Sequence, residues 1–240
     1  MKISFDRGKQ LAVLIDPDKF DDNHYEPVLQ AARTGNFDFF LVGGSLTFRP
    51  LDKVVDYLRS ATPLPVVLFP GDIEQVYTEA DAILFLSLIS GRNSEYLIGK
   101  HVLVAKRLKD SGVQVVPTGY ILIGGQGKTS VEYITQTHAI PSGKPQLAVA
   151  TAVAGELLGM KLIYLDAGSN AAEPVARDVI SVVRRSIDIP LIVGGGIRSA
   201  SQMEQAYNAG ADIVVISSVL EDRPELIDSF ASVLKRLKKQ

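Results

Sequence analysis

The chain has 240 residues, a formal net charge of −2 and a hydrophobic fraction of 46%. This length is ample for a large core, and the hydrophobic content excludes a disordered chain. Acidic and basic residues are interspersed, which argues against nucleic acid as the main partner. There is no cysteine, so disulfides and thiolate chemistry are excluded. Without an apolar signal-peptide core or a run approaching about 18 apolar residues, we expect a cytoplasmic protein with no transmembrane segment.

Eight short apolar runs alternate with helical patterns along the chain. Continuous apolar runs are typical of strands that are buried on both faces of a parallel sheet. Strands are predicted at 11–15, 37–42, 65–69, 82–85, 114–117, 161–165, 191–193 and 211–216. Helices are predicted at 24–34, 50–60, 73–78, 94–110, 146–159, 173–186, 198–209 and 221–237, of which the third is unusually short.

This alternation predicts an α/β fold, a (β/α)8 TIM barrel with an abbreviated third helix, formed by residues 1–240 as a single domain. A doubly wound sheet is the alternative, and the count of eight units favours the barrel. The connection 121–145 is rich in glycine. Its Gly124–Thr129 segment is not a Walker A motif, because Leu122 stands where that motif requires glycine. We expect a mobile loop there.

Three glycines, Gly194, Gly195 and Gly196, end the seventh predicted strand and precede a helix. Bare backbone N–H groups and the positive end of a helix favour a bound phosphate. The alternative is a tight turn in which glycine serves the geometry alone. The eighth strand likewise ends in the small residues Ser217 and Ser218, and barrels often bind phosphate after strands 7 and 8. We therefore predict a phosphate site in these two loops.

In a barrel, residues at the carboxyl ends of the strands face the active site. Carboxylates with a hydroxyl, and no histidine, suit a hard cation such as Mg²⁺ rather than Zn²⁺. Asp16 is the stronger ligand candidate, since Asp18 also suits a turn or a helix N-cap. His24, His101 and His138 fall on helices or an outer loop, where we expect no chemical role. The candidates in chain order are Asp16, Asp18, Ser45, Asp72, Ser87, Arg92, Asn93, Thr118, Tyr120, Tyr164, Asp166, Ser169, Asn170, Gly194, Gly195, Gly196, Ser217 and Ser218.

Residues 83–89 continue apolar past the predicted end of the fourth strand, beside the abbreviated helix. Residues 121–123 are apolar where a loop is expected. Ordinary core packing is one interpretation. The other is an apolar groove next to the phosphate site, which suits a substrate with a long hydrocarbon tail.

Five segments together resemble one family across nearly the whole chain. They are residues 14–19 (LIDPDK), 42–45 (VGGS), 87–93 (SLISGRN), 164–169 (YLDAGS) and 193–198 (VGGGIR). The chain is similar in these motifs to the geranylgeranylglyceryl phosphate synthases. The resemblance implies a (β/α)8 prenyltransferase that joins sn-glycerol 1-phosphate to a polyprenyl diphosphate, releases diphosphate and so makes an ether lipid precursor.

The resemblance also implies roles for individual residues. Asp16 and Ser45 match the Mg²⁺ positions of the family. From strand-end positions together with the resemblance, we expect Asp166 to accept the proton of the glycerol hydroxyl and the ring face of Tyr164 to shield or stabilise the allylic cation. Asp166 departs from the glutamate of many members, and Ser217–Ser218 from a pair that usually begins with glycine. The implied substrate-binding residues are Tyr164, Leu165, Asp166, Ala167, Gly168, Ser169, Asn170, Gly194, Gly195, Ser217 and Ser218.

Geranylgeranyl diphosphate is the expected prenyl donor, and a longer polyprenyl diphosphate is the alternative. A phosphosugar isomerase or aldolase barrel would share the phosphate loops but would need a lysine or an acid pair inside the barrel. Lys161 lies at the wrong end of its strand for that role. A catalytically inert phosphometabolite-binding protein is a third possibility. By resemblance we also expect a homo-oligomer, and transient membrane contact for the lipid product.

Overall fold

Eight parallel strands close into a barrel in the computed structural model, which describes residues 3–6, 8–124 and 129–239. The ring runs β1, β2, β3, β4, β5, β7, β8 and β9, and pairing of β9 with β1 completes it. The predicted barrel is confirmed, and the doubly wound alternative is wrong. The strands are β1 (Gln10–Ile15), β2 (Phe39–Val42), β3 (Val66–Leu68), β4 (Ala82–Leu88), β5 (Gln114–Gly124), β6 (Ile140–Pro141), β7 (Leu162–Asp166), β8 (Leu191–Gly194) and β9 (Ile213–Ile216).

Helices connect most of the neighbouring strands on the outside of the barrel. They are α1 (Glu26–Arg33), α2 (Leu51–Ala61), α3 (Lys100–Asp110), α4 (Ser130–Thr135), α5 (Pro145–Leu157), α6 (Arg177–Arg184), α7 (Ala200–Ala209), α8 (Ser218–Asp222) and α9 (Ile227–Leu237). A π-helical turn, Glu95–Gly99, leads into α3. Between β3 and β4 the chain forms only a 3-10 turn, Ile73–Gln75. The abbreviated third helix is thus confirmed, and it is shorter than predicted.

The sequence patterns placed the ends of β4 and β5 too early. Strand β5 continues for seven residues beyond Pro117, because it pairs with β4 through Tyr120 and with β7 through Leu122. A proline removes one donor from the ladder, but the pairing on both sides outweighs that loss. Residues 118–123 and Ser87, predicted to follow strands, therefore lie within them.

Two helical regions also differ from the expected pattern. Helix α4 lies in the predicted loop and begins with a capping box, in which Thr129 and Glu132 each bond the other's backbone N–H. The predicted closing helix is divided into α8, a 3-10 turn at Pro224–Leu226, and α9, because proline cannot donate within a continuous helix. Residues 125–128 of the predicted mobile loop lie outside the described residues.

Alternate side chains of each strand form two separate cores, since successive strand residues point to opposite faces. Leu41, Leu84 and Ile192 fill the barrel interior. Ile83 and Ile163 pack outside, toward the helices. In the described part of the chain, no helix is both long enough and apolar enough to cross a lipid bilayer.

Candidate active site

A cavity of about 550 Å³ opens where the strands of the barrel end. This volume lies in the range of about 300–1,000 Å³ that is typical of ligand sites. Polar residues of the strand ends line one part, and apolar side chains beside the 3-10 turn line the other. The predicted site residues that line it are Asp16, Ser45, Asp72, Tyr120, Tyr164, Asp166, Gly168, Ser169, Asn170, Gly195, Gly196, Ser217 and Ser218.

Asp16 and Ser45 supply oxygen atoms to the polar part of the cavity. Asp16 accepts a 3.0 Å bond from the Asp18 N–H through Oδ1, and its Oδ2 lies 3.8 Å from Lys19 Nζ. Among the described residues, no group of three or more His, Asp or Glu side chains is placed to hold a metal alone. Two protein oxygens nevertheless fit Mg²⁺, because that ion usually keeps several waters and binds substrate phosphates.

Asp18 has a structural role instead. Its carboxylate accepts hydrogen bonds from the backbone N–H of Phe48, at 2.9 Å, and of Arg49, at 2.7 Å. It thereby fixes the loop after β2 and does not line the cavity. Asp18 is thus structural, but its carboxylate binds the loop before α2 and does not cap α1, whose N-cap is Tyr25.

Asp166 ends β7 in a buried position at the centre of the cavity wall. Tyr120 donates a 2.5 Å hydrogen bond to Oδ2, and the Gly168 N–H donates a 2.8 Å bond to Oδ1. Burial raises the pKa of Asp166, although both hydrogen bonds oppose the shift. A carboxylate of raised pKa that faces a cavity is suited to accept a proton from a substrate.

Three aromatic rings that line the same cavity as Asp166 contact one another. The Phe69 and Tyr164 centroids lie 5.3 Å apart, and those of Tyr120 and Tyr164 lie 5.5 Å apart at nearly a right angle. Burial, and the charge of Asp166, raise the pKa of both tyrosines, so both stay neutral. Their ring faces can stabilise a positive charge in the cavity.

Gly195 brings the loop after β8 close to Asp166. Its φ is 78°, in the left-handed region, and a Cβ there would stand 2.4 Å from Asp166 Oδ1. The backbone conformation and this close contact therefore require glycine at this position. This agrees with the alternative interpretation of the triple glycine, a tight turn in which glycine serves the geometry alone. The same close approach leaves bare backbone lining the cavity, so the requirement for glycine is compatible with a phosphate site.

The two predicted phosphate loops differ in their details. Helix α7 follows the triple glycine and is capped by Ser199, whose hydroxyl accepts the Gln202 N–H at 3.2 Å. The Ser217 hydroxyl instead donates to the Leu14 carbonyl at 3.0 Å, so its side chain joins β9 to β1. Because this hydroxyl donor is already used, Ser217 can donate to a phosphate only through its backbone N–H.

The apolar part of the cavity lies beside the 3-10 turn that replaces the third helix. Ile73 and Val76 approach it from the turn, Ile83 and Phe85 from β4, and Val104 from α3. The groove predicted at 83–89 is therefore present, on the outer side of β4. It is continuous with the polar part, because all these residues line the same cavity.

An ion pair crosses the opening between β3 and α3. Lys100 Nζ lies 2.5 Å from Asp72 Oδ2 and 3.1 Å from the Tyr96 hydroxyl. Burial lowers the pKa of Lys100, but its hydrogen bonds to Asp72 and Tyr96 outweigh this and the net shift is upward. Asp72 is therefore paired with a cation at the rim of the cavity.

His101 lies on α3, as predicted, and it also lines the cavity. Its Nε2 is 3.3 Å from the Ser87 hydroxyl, and its ring packs edge-on against Phe85 with centroids 4.4 Å apart. Burial lowers its pKa, which the Leu86 carbonyl only partly opposes, so the ring is neutral at neutral pH. Ser87 points to His101 and is not a cavity residue.

Several other predicted residues do not reach the cavity. Leu165 and Ala167 pack into the outer core, and Gly194 lies beneath the Tyr164 hydroxyl. The hydroxyl of Thr118 bonds the Val116 carbonyl inside the sheet. Arg92 and Asn93 follow β4 but turn to a separate surface hollow with residues 136–138. Ser87 and Thr118 lie within β4 and β5 because these strands are longer than predicted, and the side chains of Leu165 and Ala167, which the resemblance implied, face the outer core.

Some cavity residues carried a sequence signal that was not used. Helix α4 contributes Ser130, Val131, Tyr133 and Ile134. Its T-S-V-E start at 129–132 is the sequence of a capping box and could have located the helix. Lys19 pairs with Glu221 at 2.7 Å and lines the cavity as well, but no local pattern indicates this contact across about 200 residues.

The profile of the PcrB family matches residues 5–234. The chain belongs to the PcrB family. Among its relatives, a geranylgeranylglyceryl phosphate synthase from Spirosoma linguale is 45% identical over 95% of this chain and 92% of its own length. The prenyltransferase class expected from the motifs is thereby confirmed, and the isomerase, aldolase and inert-binder alternatives are set aside.

Solved structures of PcrB relatives share the barrel. That of (S)-3-O-geranylgeranylglyceryl phosphate synthase from Thermoplasma acidophilum, in complex with its substrate sn-glycerol-1-phosphate, superposes with a TM-score of 0.88 at 29% identity, covering 98% of this chain and 96% of the other. Wild-type GGGPS from Thermoplasma volcanium gives the same TM-score at 32% identity, covering 97% and 94%.

Proposed function

We propose that this PcrB-family protein is a Mg²⁺-dependent prenyltransferase that joins sn-glycerol 1-phosphate to geranylgeranyl diphosphate. The observation that carries the proposal is the single cavity, in which the polar strand ends meet an apolar groove. A substrate with a charged head and a long hydrocarbon tail requires both environments side by side. The relative from Thermoplasma acidophilum, with bound sn-glycerol-1-phosphate, supports the choice of acceptor.

The acceptor is held by its phosphate in the loops after β8 and β9. Backbone groups around Gly195, Ser217 and Ser218, with Ser169 and Asn170 on the facing loop, bind the anion. Anchoring at one end fixes the distance of the glycerol 3-hydroxyl from the reacting carbon. Orientation of this kind supplies much of the rate in bimolecular reactions.

Asp166 accepts the proton of the glycerol hydroxyl. The hydroxyl oxygen forms its bond to C1 of the prenyl chain, the bond from C1 to the diphosphate oxygen breaks, and the electron pair leaves with the diphosphate. Proton transfer to a positioned base contributes about 10²–10⁴ in rate. The rings of Tyr164, Tyr120 and Phe69 stabilise positive charge that develops on the allylic carbon.

Asp16 and Ser45 would hold the Mg²⁺ ion, which would supply positive charge to the diphosphate leaving group. The prenyl tail lies in the groove along Ile73, Ile83 and Phe85. Each buried methylene contributes about 0.8 kcal/mol, so a tail of 20 carbons is favoured strongly over short ones. A longer polyprenyl diphosphate is the second candidate donor, because an apolar groove also binds a longer hydrocarbon tail.

A diphosphate-release assay tests this function directly. The purified chain is incubated with Mg²⁺, sn-glycerol 1-phosphate and prenyl diphosphates of 5, 10, 15, 20 and 35 carbons. We expect release only with both substrates and a kcat/KM that is highest at 20 carbons. An optimum at 35 carbons would favour the longer donor. Equal rates at all lengths would refute the role of the groove.

A further inference from the structure

The amide of Gln75 joins two of the loops that form the polar part of the cavity. Gln75 ends the 3-10 turn after β3, and its side chain is buried. Its Oε1 accepts the N–H of Gly44 at 3.2 Å and the N–H of Gly71 at 3.1 Å. Its Nε2 donates to the Gly44 carbonyl at 2.8 Å. One side chain thus makes three hydrogen bonds to the backbone of the β2 and β3 loops.

These loops contact each other through bare backbone. A Cβ at Gly43 would stand 2.1 Å from the Phe69 carbonyl oxygen. A Cβ at Gly71 would stand 2.2 Å from the Gly44 carbonyl oxygen and 3.0 Å from Ser45 Cα. Glycines at both contacts leave no side chains to interlock, and they give the unbound loop a high conformational entropy. The Gln75 amide therefore supplies the fixed connection between the loops.

We propose that Gln75 is a positioning residue for the metal and diphosphate end of the site. It holds Gly44, and with it the adjacent Ser45, which lines the cavity and whose hydroxyl would serve as a Mg²⁺ ligand. Gln75 itself acts only through the Gly44 and Gly71 backbone. The expected change in KM rests on the proposed function, whereas the positioning of the loop after β2 does not. The short 3-10 turn thus has two effects: it leaves the groove open and delivers this amide.

Gln114 offers a matched control at the opposite end of the barrel. Its amide also joins two backbone groups of a distant segment, accepting the Ile3 N–H at 2.7 Å and donating to the Ile3 carbonyl at 2.9 Å. Gln75→Met and Gln114→Met each keep the side chain's length and remove its hydrogen bonds. The Tm of each variant is measured as well, so that a difference in the active site beyond the difference in stability reports position and not folding.

Three readouts are measured on parent, Gln75→Met, Gln75→Glu and Gln114→Met. They are hydrogen exchange of segment 43–45, calorimetric binding of Mn²⁺ with inorganic diphosphate, and the KM for each substrate. We expect Gln75→Met to speed exchange, to weaken Mn²⁺–diphosphate binding about 10- to 100-fold and to raise the KM of the prenyl diphosphate similarly, as for other residues that orient metal ligands. The KM of sn-glycerol 1-phosphate stays near the parent value. Gln75→Glu keeps the acceptor but sets a carboxylate oxygen against the Gly44 carbonyl in place of the donor, so we expect it to weaken Mn²⁺–diphosphate binding as well.

Parent-like exchange and parent-like Mn²⁺–diphosphate binding in Gln75→Met would overturn the inference. Equal losses in Gln114→Met would also overturn it, because the effect would then reflect general destabilisation. A parent chain that turns over no prenyl diphosphate would instead count against the proposed function. In that case faster exchange in Gln75→Met alone still supports the positioning of the loop.

Discussion

The Tyr120 hydroxyl donates a 2.5 Å hydrogen bond to Oδ2 of Asp166, and both side chains are buried. This bond favours the ionised carboxylate and so opposes the upward effect of burial on the pKa of Asp166. Because Asp166 is one methylene shorter than glutamate, its reach is limited, and Tyr120 fixes where the carboxylate points.

Tyr120→Phe removes this bond and keeps the ring. Without the donor, the pKa of Asp166 rises further, so the acidic limb of the kcat/KM profile moves to higher pH. The measurement is the pH dependence of diphosphate release by parent and variant. Tyr207→Phe is the control, since that hydroxyl bonds the Gln10 carbonyl away from the cavity. An acidic limb that stays in place would show that Asp166 is not the base.

Asp166→Asn tests the same group through stability. A carboxyl whose pKa is raised by folding contributes its stability below the unfolded pKa and loses it as pH rises through the folded pKa. As the pH rises from acidic to neutral, the free energy of unfolding of the parent should therefore fall relative to that of Asp166→Asn, whose side chain does not titrate. The Tm values of both proteins over this pH interval check the sign. Parallel curves would mean that burial does not penalise the carboxylate.

Gly195→Ala introduces a Cβ that would stand 2.4 Å from Asp166 Oδ1, at a residue with positive φ. We expect both a higher KM for sn-glycerol 1-phosphate and a lower kcat, because the loop and the carboxylate must move together. Gly112→Ala serves as control, since nothing lies near its Cβ position. Steady-state kinetics separate the two constants. A change in the glycerol phosphate KM alone would argue that the Asp166 carboxylate is not displaced.

Asp16→Asn removes a charge from the proposed metal site. Turnover should fall about 100-fold or more, equivalent to at least about 2.7 kcal/mol of transition-state stabilisation. The Mg²⁺ activation curve should move to higher concentration, and excess Mg²⁺ should restore only part of the rate. Asp22→Asn, at an exposed position, is the matched control. A parent-like Mg²⁺ curve in Asp16→Asn would remove this residue from the metal site.

Ile73→Asn places an amide in the groove at a half-buried position of the 3-10 turn. The KM should rise about tenfold for the 20-carbon diphosphate, a loss of about 1.4 kcal/mol that corresponds to nearly two buried methylenes. The KM for the 5-carbon diphosphate should not change, since a short tail does not reach the groove. Leu157→Asn on exposed α5 controls for the substitution itself. The same rise at both chain lengths would contradict the predicted path of the tail.

The sequence predicted the barrel because each buried strand and the helix after it carry their own local pattern. Asp16, Ser45 and Asp166 could be placed at strand ends for the same reason. The ends of β4 and β5 were missed, because pairing between the two strands continues to Leu88 and Tyr120, and so passes Pro117 in β5, which local propensity takes as a stop. The Lys100–Asp72 and Gln75–Gly44 contacts were also missed, since each joins segments about 30 residues apart and depends on distances set only by the closed barrel.

The 3-10 turn between β3 and β4 leaves Ile83 and Phe85 facing a cavity where a full helix would have covered them. In the proposed function a hydrocarbon tail lies there in place of the missing helix, so the bound ligand would complete the fold. Ligand at 100 times its dissociation constant adds about 2.7 kcal/mol to the stability of a folded protein. We therefore expect the resistance of this protein to proteolysis to rise with the concentration of prenyl diphosphate.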